Sequence, residues 1–258
     1  MSDDMKEKTA PEKEEPRDPE QEIKESLSET DHTLTVNGEE IHYKASAGTI
    51  VLKEKETRPE ATIFYTAYTR TDIDDVSTRP IIFAFNGGPG SSSVWLHLGM
   101  LGPKRVILEQ DGKLAPPPFK MKDNPQTLLD KADLVFIDPV STGYSRPAPD
   151  LEKPEEFHGI KKDIESVAEF IRLYTTRAQR WSSPKYLAGE SYGTTRAAGL
   201  SGYLQQRFGM YLNGIILIST ILDFQSALFD PGNDLPFVFF LPTYSASAWY
   251  HNRIDKNA

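Results

Sequence analysis

Residues Lys185 to Gln206 read KYLAGESYGTTRAAGLSGYLQQ: a short apolar run, a Gly-Glu-Ser-Tyr-Gly turn, then a stretch rich in small residues. This is the spacing that presents a serine as a nucleophile. A sharp passage from a strand (Tyr186 to Ala188) to a helix (from about Tyr192) leaves Ser191 at the carboxyl end of the strand with its hydroxyl projecting. Gly189 and Gly193 stand two positions either side, where so tight a turn leaves no room for a side chain. The helix that follows carries Gly193, Ala197, Ala198, Gly199 and Gly202, which suits close packing on a sheet. A bare G-x-S-x-G recurs by chance, so the elements around it must decide its meaning.

Those elements alternate. Pro80 to Phe85, PIIFAF, is a continuous apolar run of the kind found in a strand covered on both faces. It leads into Asn86-Gly87-Gly88-Pro89-Gly90-Ser91-Ser92-Ser93, where glycines expose backbone N–H groups able to hold an anion and serines are placed to cap a helix. A phosphate-binding loop is the rival reading, but the Gly-Lys-Ser/Thr ending is missing, and a loop that holds an oxyanion fits better. Asp133 to Val140 predicts another strand, ended by Pro139 and the turn-rich STGYSRP. Ile160 to Ala178 places Ile160, Ile164, Val167, Ala168, Ile171 and Tyr174 at helical spacing, an amphipathic helix over a sheet. Gly214 to Ser219 supplies one more buried strand. Strand and helix in turn predict an α/β fold with a mostly parallel sheet. Ahead of it, Leu34, Val36, the Asn37-Gly38 turn, Ile41 and Tyr43 signal a hairpin, and Thr49 to Lys53 and Ala61 to Arg70 read as further antiparallel strands.

Composition narrows the function classes. The 258 residues, 38% of them apolar, allow one large core. Of the net charge of −9, residues 1–30 hold 11 acids and 5 bases, a net of −6, and read as a disordered acidic tail, with a docking tail as the alternative. No basic stripe favours nucleic acid. The absence of cysteine excludes disulfides, thiolate metal sites and a cysteine nucleophile, and the histidines and carboxylates show no metal-ligand spacing, so no metal or cofactor is expected. The N-terminus has no signal-peptide pattern and no apolar run reaches membrane-spanning length, from which a cytoplasmic location and no membrane partner are expected. Residues 31–225 form the expected core, and from Ser226 the Pro- and aromatic-rich text leaves the sheet.

Three blocks, FNGGPGSSS, DLVFIDPVSTGYS and GESYG, thus stand in order with a strand leading into each. Together they resemble the serine carboxypeptidase family on the α/β-hydrolase fold, over about Pro80 to Thr220 and more loosely to Tyr250, and SVWLHLGMLGP is similar to bacterial members. The resemblance implies that Ser191 attacks a peptide carbonyl to form an acyl-enzyme, and that the N–H groups of Gly88 and Tyr192 receive the oxyanion. It implies that Asn86, Gly87 and Glu190 bind the terminal carboxylate of a peptide substrate. The family's second glutamate, which shares a proton with the first, falls at Met100, and Ser91 replaces a common cysteine. With that pair broken, Glu190 is expected to repel a terminal carboxylate.

In α/β-hydrolases the acid and the histidine of the triad follow the serine in chain order. Only 67 residues follow Ser191, and the resemblance leaves the Asp and His segments without counterpart before Ala258, so residues 226–258 read as the start of a cap-like insertion and the sheet as incomplete. His97 falls in the helix after the glycine loop, His32 and His42 in the hairpin, His158 before the covering helix and His251 in the cap-like tail; none follows a sheet strand in the required place. The expectation is a serine carboxypeptidase-like hydrolase inactive as this chain alone, with an esterase or acyltransferase, or a non-catalytic peptide-binding module, as alternatives. An apolar open edge between Gly214 and Tyr250 would favour self-association.

Overall fold

The computed structural model describes residues 23–54, 57–109, 112–113 and 116–255. Its first elements are three antiparallel strands, β1 (Leu27–Val36), β2 (Glu39–Glu54) and β3 (Arg58–Arg70). Asn37 and Gly38 both take positive φ, 53° and 84°, the geometry of a tight hairpin turn matched to strand twist. Leu34, Val36, Ile41 and Tyr43 point into the core.

Two expectations change here. β1 starts at Leu27, inside the segment read as tail, because its polar half is held from outside: Ser26 and Thr49 exchange main-chain and side-chain bonds, Lys44 pairs with Glu29 at 3.0 Å and Arg177 with Glu25 at 2.8 Å. Residues 1–22, the rest of that tail, lie outside the described residues. The strand expected from Thr49 is the far end of β2, which runs unbroken through Lys44 to Gly48 because β1 and β3 pair with it on both edges. Gly48 is required at this crossing, since a Cβ there would sit 2.4 Å from the Ser26 carbonyl oxygen.

The chain continues through β4 (Ile81–Phe85), the short helix α1 (Val94–Leu96) with a π-helical turn His97–Leu101, the small hairpin β5 (Lys104–Val106) and β6 (Met121–Asp123), then β7 (Asp133–Ile137) and β8 (Arg146–Pro147). It ends with α2 (Ile160–Arg177), β9 (Lys185–Glu190), α3 (Tyr192–Phe208), β10 (Gly214–Ile218) and α4 (Leu235–Tyr250). The main sheet runs β1-β2-β3-β7-β4-β9-β10, with β8 pairing to β3. From β7 to β10 all neighbours are parallel.

β4 is wholly buried because both its faces are covered. Ile81, Phe83 and Phe85 meet Val167, Phe170 and Ile171 of α2 and Leu200 and Leu204 of α3, whereas Ile82 and Ala84 meet Leu96, Leu101 and Leu129 on the other side. At the amino ends of these strands the buried Asp133 takes hydrogen bonds from Arg79 and Arg180, clasping three segments far apart in sequence. Removing one partner of such a buried cluster costs about 3–5 kcal/mol, since a charge is left unpaired. The opposite, carboxyl ends of β4 and β9 are thereby left to converge on one place.

The segment expected to leave the sheet after Ser226 carries a helix, α4. Pro236 stands in its first turn, where the missing N–H has no role, and Pro242 lies inside it. Its apolar residues Phe237, Phe239, Leu241 and Trp249 are exposed. Among the described residues no helix is long and apolar enough to cross a membrane, and no cluster of metal-ligating side chains is present.

Candidate active site

β9 ends at Glu190 and α3 begins at Tyr192, so Ser191 alone makes the turn, at φ 57° and ψ −126°. A non-glycine residue is rarely held there, and the surroundings enforce it. Ser191 N donates to Ile218 O at 3.0 Å, and Thr194 Oγ1 donates to Ser191 O at 2.7 Å. The Thr194 hydroxyl also accepts from Ile221 N at 2.9 Å, so the end of β10 and the residues just after it grip the turn from the outside. A Cβ on Gly189 would lie 2.1 Å from Gly193 O, and one on Gly193 would lie 2.8 Å from Phe85 O. Only hydrogen fits at both.

The loop after β4 lies directly on this turn. A Cβ on Gly87 would stand 2.4 Å from Tyr192 N and 2.6 Å from Gly193 N, so glycine is what lets the two backbones touch. Gly88 follows with φ 109° and exposed. Tyr192, the first residue of α3, has no intrahelical acceptor for its N–H. The Gly88 N–H likewise donates to no group among the described residues. Gly88 and Ser191 line one cavity, and the Tyr192 N–H follows Ser191 directly in the chain.

The serines of this loop do not cap a helix. Ser93 occupies the N-cap position, but its hydroxyl donates to Ile137 O, and its N–H is taken by Asp138 Oδ1 at 2.8 Å. Burial holds the Asp138 carboxyl above its ordinary range. Asn86, 1% exposed, is fixed on each side: its Oδ1 accepts from Leu96 N at 2.9 Å and its Nδ2 donates to Glu190 Oε2 at 2.9 Å.

A cavity of about 500 Å³ opens over Ser191, lined by Asn86, Gly88, Ser91, Trp95, Leu96, Gly99, Met100, Glu190 and Ile218. The residues singled out in the sequence thus come together, with Tyr192 and Gly87 just behind the wall. Sequence reasoning passed over Trp95, Leu96 and Ile218, whose apolar side chains carried no chemical signal. None of the five histidines lines this cavity. His97 turns inward from the same π-helical turn, stacks on Phe136 at 4.6 Å between ring centres and shares a 2.6 Å hydrogen bond with the Tyr68 hydroxyl. Burial pushes its imidazole down to about 4. His158 lines a separate cavity on the other side of Pro89 and Gly90, and His32, His42 and His251 are exposed.

The sheet order, with β4 inserted between β7 and β9, and the strand–serine–helix turn at its centre define an α/β-hydrolase fold. A solved structure of the prohormone-processing carboxypeptidase KEX1(ΔP) from Saccharomyces cerevisiae superposes with a TM-score of 0.59 at 22% identity, covering 83% of this chain and 43% of that one. The model of the serine carboxypeptidase family matches residues 37–227, and the chain belongs to that family. Among curated relatives, the pheromone-processing carboxypeptidase KEX1 of Saccharomyces cerevisiae is 31% identical over 145 residues, 54% of this chain and 18% of the relative. Serine carboxypeptidase-like 36 of Arabidopsis thaliana is 31% identical over 137 residues, 52% of this chain and 26% of the relative. The matched segments therefore span about a quarter or less of these relatives' length.

Proposed function

We propose that this chain carries the nucleophile half of a serine carboxypeptidase-type acyl-transfer site acting on peptides. The observation that carries the reading is Ser191, held at φ 57° between β9 and α3 with the Gly87 backbone packed on Tyr192 N. In this reading the Ser191 oxygen bonds to the carbonyl carbon of the substrate, the negative charge formed on the carbonyl oxygen is met by the N–H groups of Gly88 and Tyr192, and the C–N bond breaks as the amine leaves with a proton. Water then takes the acyl group from Ser191. A donor placed for the transition-state charge is worth about 3 kcal/mol. Asn86, Gly87 and Glu190 face the leaving side and meet the substrate's end, where Glu190, with Met100 in place of a second carboxyl, weakens the hold on a free carboxylate, and α4 with the residues before it begins a cap over the site. The relatives named as carboxypeptidases support a peptide substrate.

The proton on Ser191 needs a base, and no histidine lines the cavity among the described residues. This chain alone is therefore expected to react slowly, with catalysis of only about 10³ over water from binding and the oxyanion donors. Incubation with a fluorophosphonate, followed by intact mass, tests this: slow labelling that disappears in Ser191→Ala is the expected result. Stoichiometric labelling within minutes would mean that a residue of this chain supplies the base. Labelling equal in Ser191→Ala would remove Ser191 as nucleophile.

Esterase or acyltransferase chemistry on the same serine is the second reading, and Met100 favours it. With Trp95, Leu96 and Ile218 it gives the leaving side an apolar wall beside the Asn86–Glu190 pair. A neutral alcohol or amide suits that wall better than a carboxylate.

A further inference from the structure

Arg196 lies five residues beyond Ser191 on α3 and is 2% exposed. Its guanidinium acts in three directions. Nε donates to both oxygens of Asp163 on α2, at 3.0 and 2.8 Å. Nη1 donates to the main-chain carbonyl of Asn86 at 2.8 Å. The flat of the group lies 5.3 Å from the ring centre of Phe85 and 5.2 Å from that of Tyr192. The Tyr192 hydroxyl in turn donates to Asp163 Oδ2 at 3.1 Å.

A buried ion pair by itself says little about purpose, because well-packed apolar residues often serve stability as well. The destination of the third hydrogen bond is the informative part. It falls on the Asn86–Gly87 peptide, one link ahead of the peptide that carries the Gly88 N–H, while the same Asp163 holds the side chain of Tyr192. We propose that Arg196 is a positioning residue: anchored on Asp163, it fixes the Asn86–Gly87 peptide against Tyr192 and so sets the separation of the Gly88 and Tyr192 N–H groups. Its catalytic consequence rests on the reading of those groups as oxyanion donors. Arginine suits the task because its planar fork donates to two acceptors in fixed directions, which a lysine cannot do. Donor placement matters steeply, since a shift of about 1 Å in such a site costs about a hundredfold in rate.

Two variants separate position from fold. Arg196→Lys keeps a cation beside Asp163 but loses the fork, and Arg196→Gln combined with Asp163→Asn removes both charges together, leaving no lone buried ion. Hydrogen exchange is read at Ser91 and Leu96, whose amides are bonded to Gly87 O and to Asn86 Oδ1, with β2 and β3 as the reference. Both amides should exchange about tenfold faster in both variants while the reference strands keep wild-type rates, and Ser191-dependent labelling by a fluorophosphonate should slow about 10- to 100-fold. Wild-type exchange at Ser91 and Leu96 overturns the proposal. So does a matching rise across β2 and β3, which would make Arg196 a general stabiliser. If the unmutated chain labels no faster than Ser191→Ala, the reading of Ser191 is lost, and the exchange measurement still decides the role of Arg196.

Discussion

The Asn86 side-chain amide donates to Glu190 Oε2 at 2.9 Å, tying the end of β4 to the end of β9 directly beside Ser191, and Met100 lines the same cavity. A carboxyl group introduced by Met100→Glu would face Glu190, and two such groups share a proton at mildly acidic pH, which provides a donor for a substrate carboxylate. A charge-assisted hydrogen bond is worth about 1.5–3 kcal/mol, so the variant should bind a free-acid peptide about tenfold better relative to its amide, and only on the acid side. Fluorescence polarisation of a labelled acid and amide pair across pH measures the ratio. An unchanged ratio removes Met100 from the specificity of the site.

His97 should make the fold acid-sensitive. Burial lowers its imidazole from 6.5 to about 4, so between those values the unfolded chain takes up a proton that the folded chain refuses. The stability from a neutral His97 is complete above pH 6.5 and is lost as the pH falls towards 4, by at most about 3 kcal/mol. Each kcal/mol moves the melting point by about 2–4 °C in a chain of this size. His97→Gln keeps a partner for the Tyr68 hydroxyl without the titration, and its melting temperature should fall less steeply between pH 6.5 and 4. Parallel slopes for the two proteins would contradict this account.

Two glycine substitutions should have opposite signs. A Cβ on Gly189 meets the Gly193 carbonyl oxygen at 2.1 Å, backbone against backbone, and Gly189→Ala is expected to lose about 3 kcal/mol or more. Gly202 sits inside α3 with nothing within 4 Å of the added atom, so Gly202→Ala should gain about 0.5–1 kcal/mol by lowering the entropy of the unfolded chain. Urea midpoints report both, and a stable Gly189→Ala protein would show that the turn has slack.

β10 pairs with β9 alone among the described strands, and Ile215 and Ile216 are exposed on it, close in sequence to the bare apolar side chains of α4. Unpaired strand edges of this kind associate. Light scattering on a sizing column should give a mass that rises with concentration, and Ile216→Lys should lower it. A monomer at every concentration would mean that this edge is inert.

The local backbone of the site was legible in the sequence because short-range sterics determine it: Gly189-Glu190-Ser191-Tyr192-Gly193 admits few backbone paths, Asn37-Gly38 favours one turn, and the runs Ile81–Phe85 and Asp133–Ile137 imply strands covered on both faces. Of the residues the resemblance pointed to, Asn86, Gly88 and Glu190 line one cavity with Ser191. Long-range pairing was not legible. The polar start of β1 and the stretch Lys44 to Gly48 have no strand pattern of their own, and they are strands only because their backbone groups find partners across the sheet. No local pattern in the sequence marks Arg196; its role depends on α2 bringing Asp163, 33 residues away in sequence, and on the end of β4 bringing the Asn86 carbonyl, 110 residues away. His97 reads as a packing or surface residue, and its partner Tyr68 comes from a strand 29 residues earlier. Burial turns such side chains from solvated charges into fixed donors, and burial is a property of the assembled layers, which no local pattern encodes.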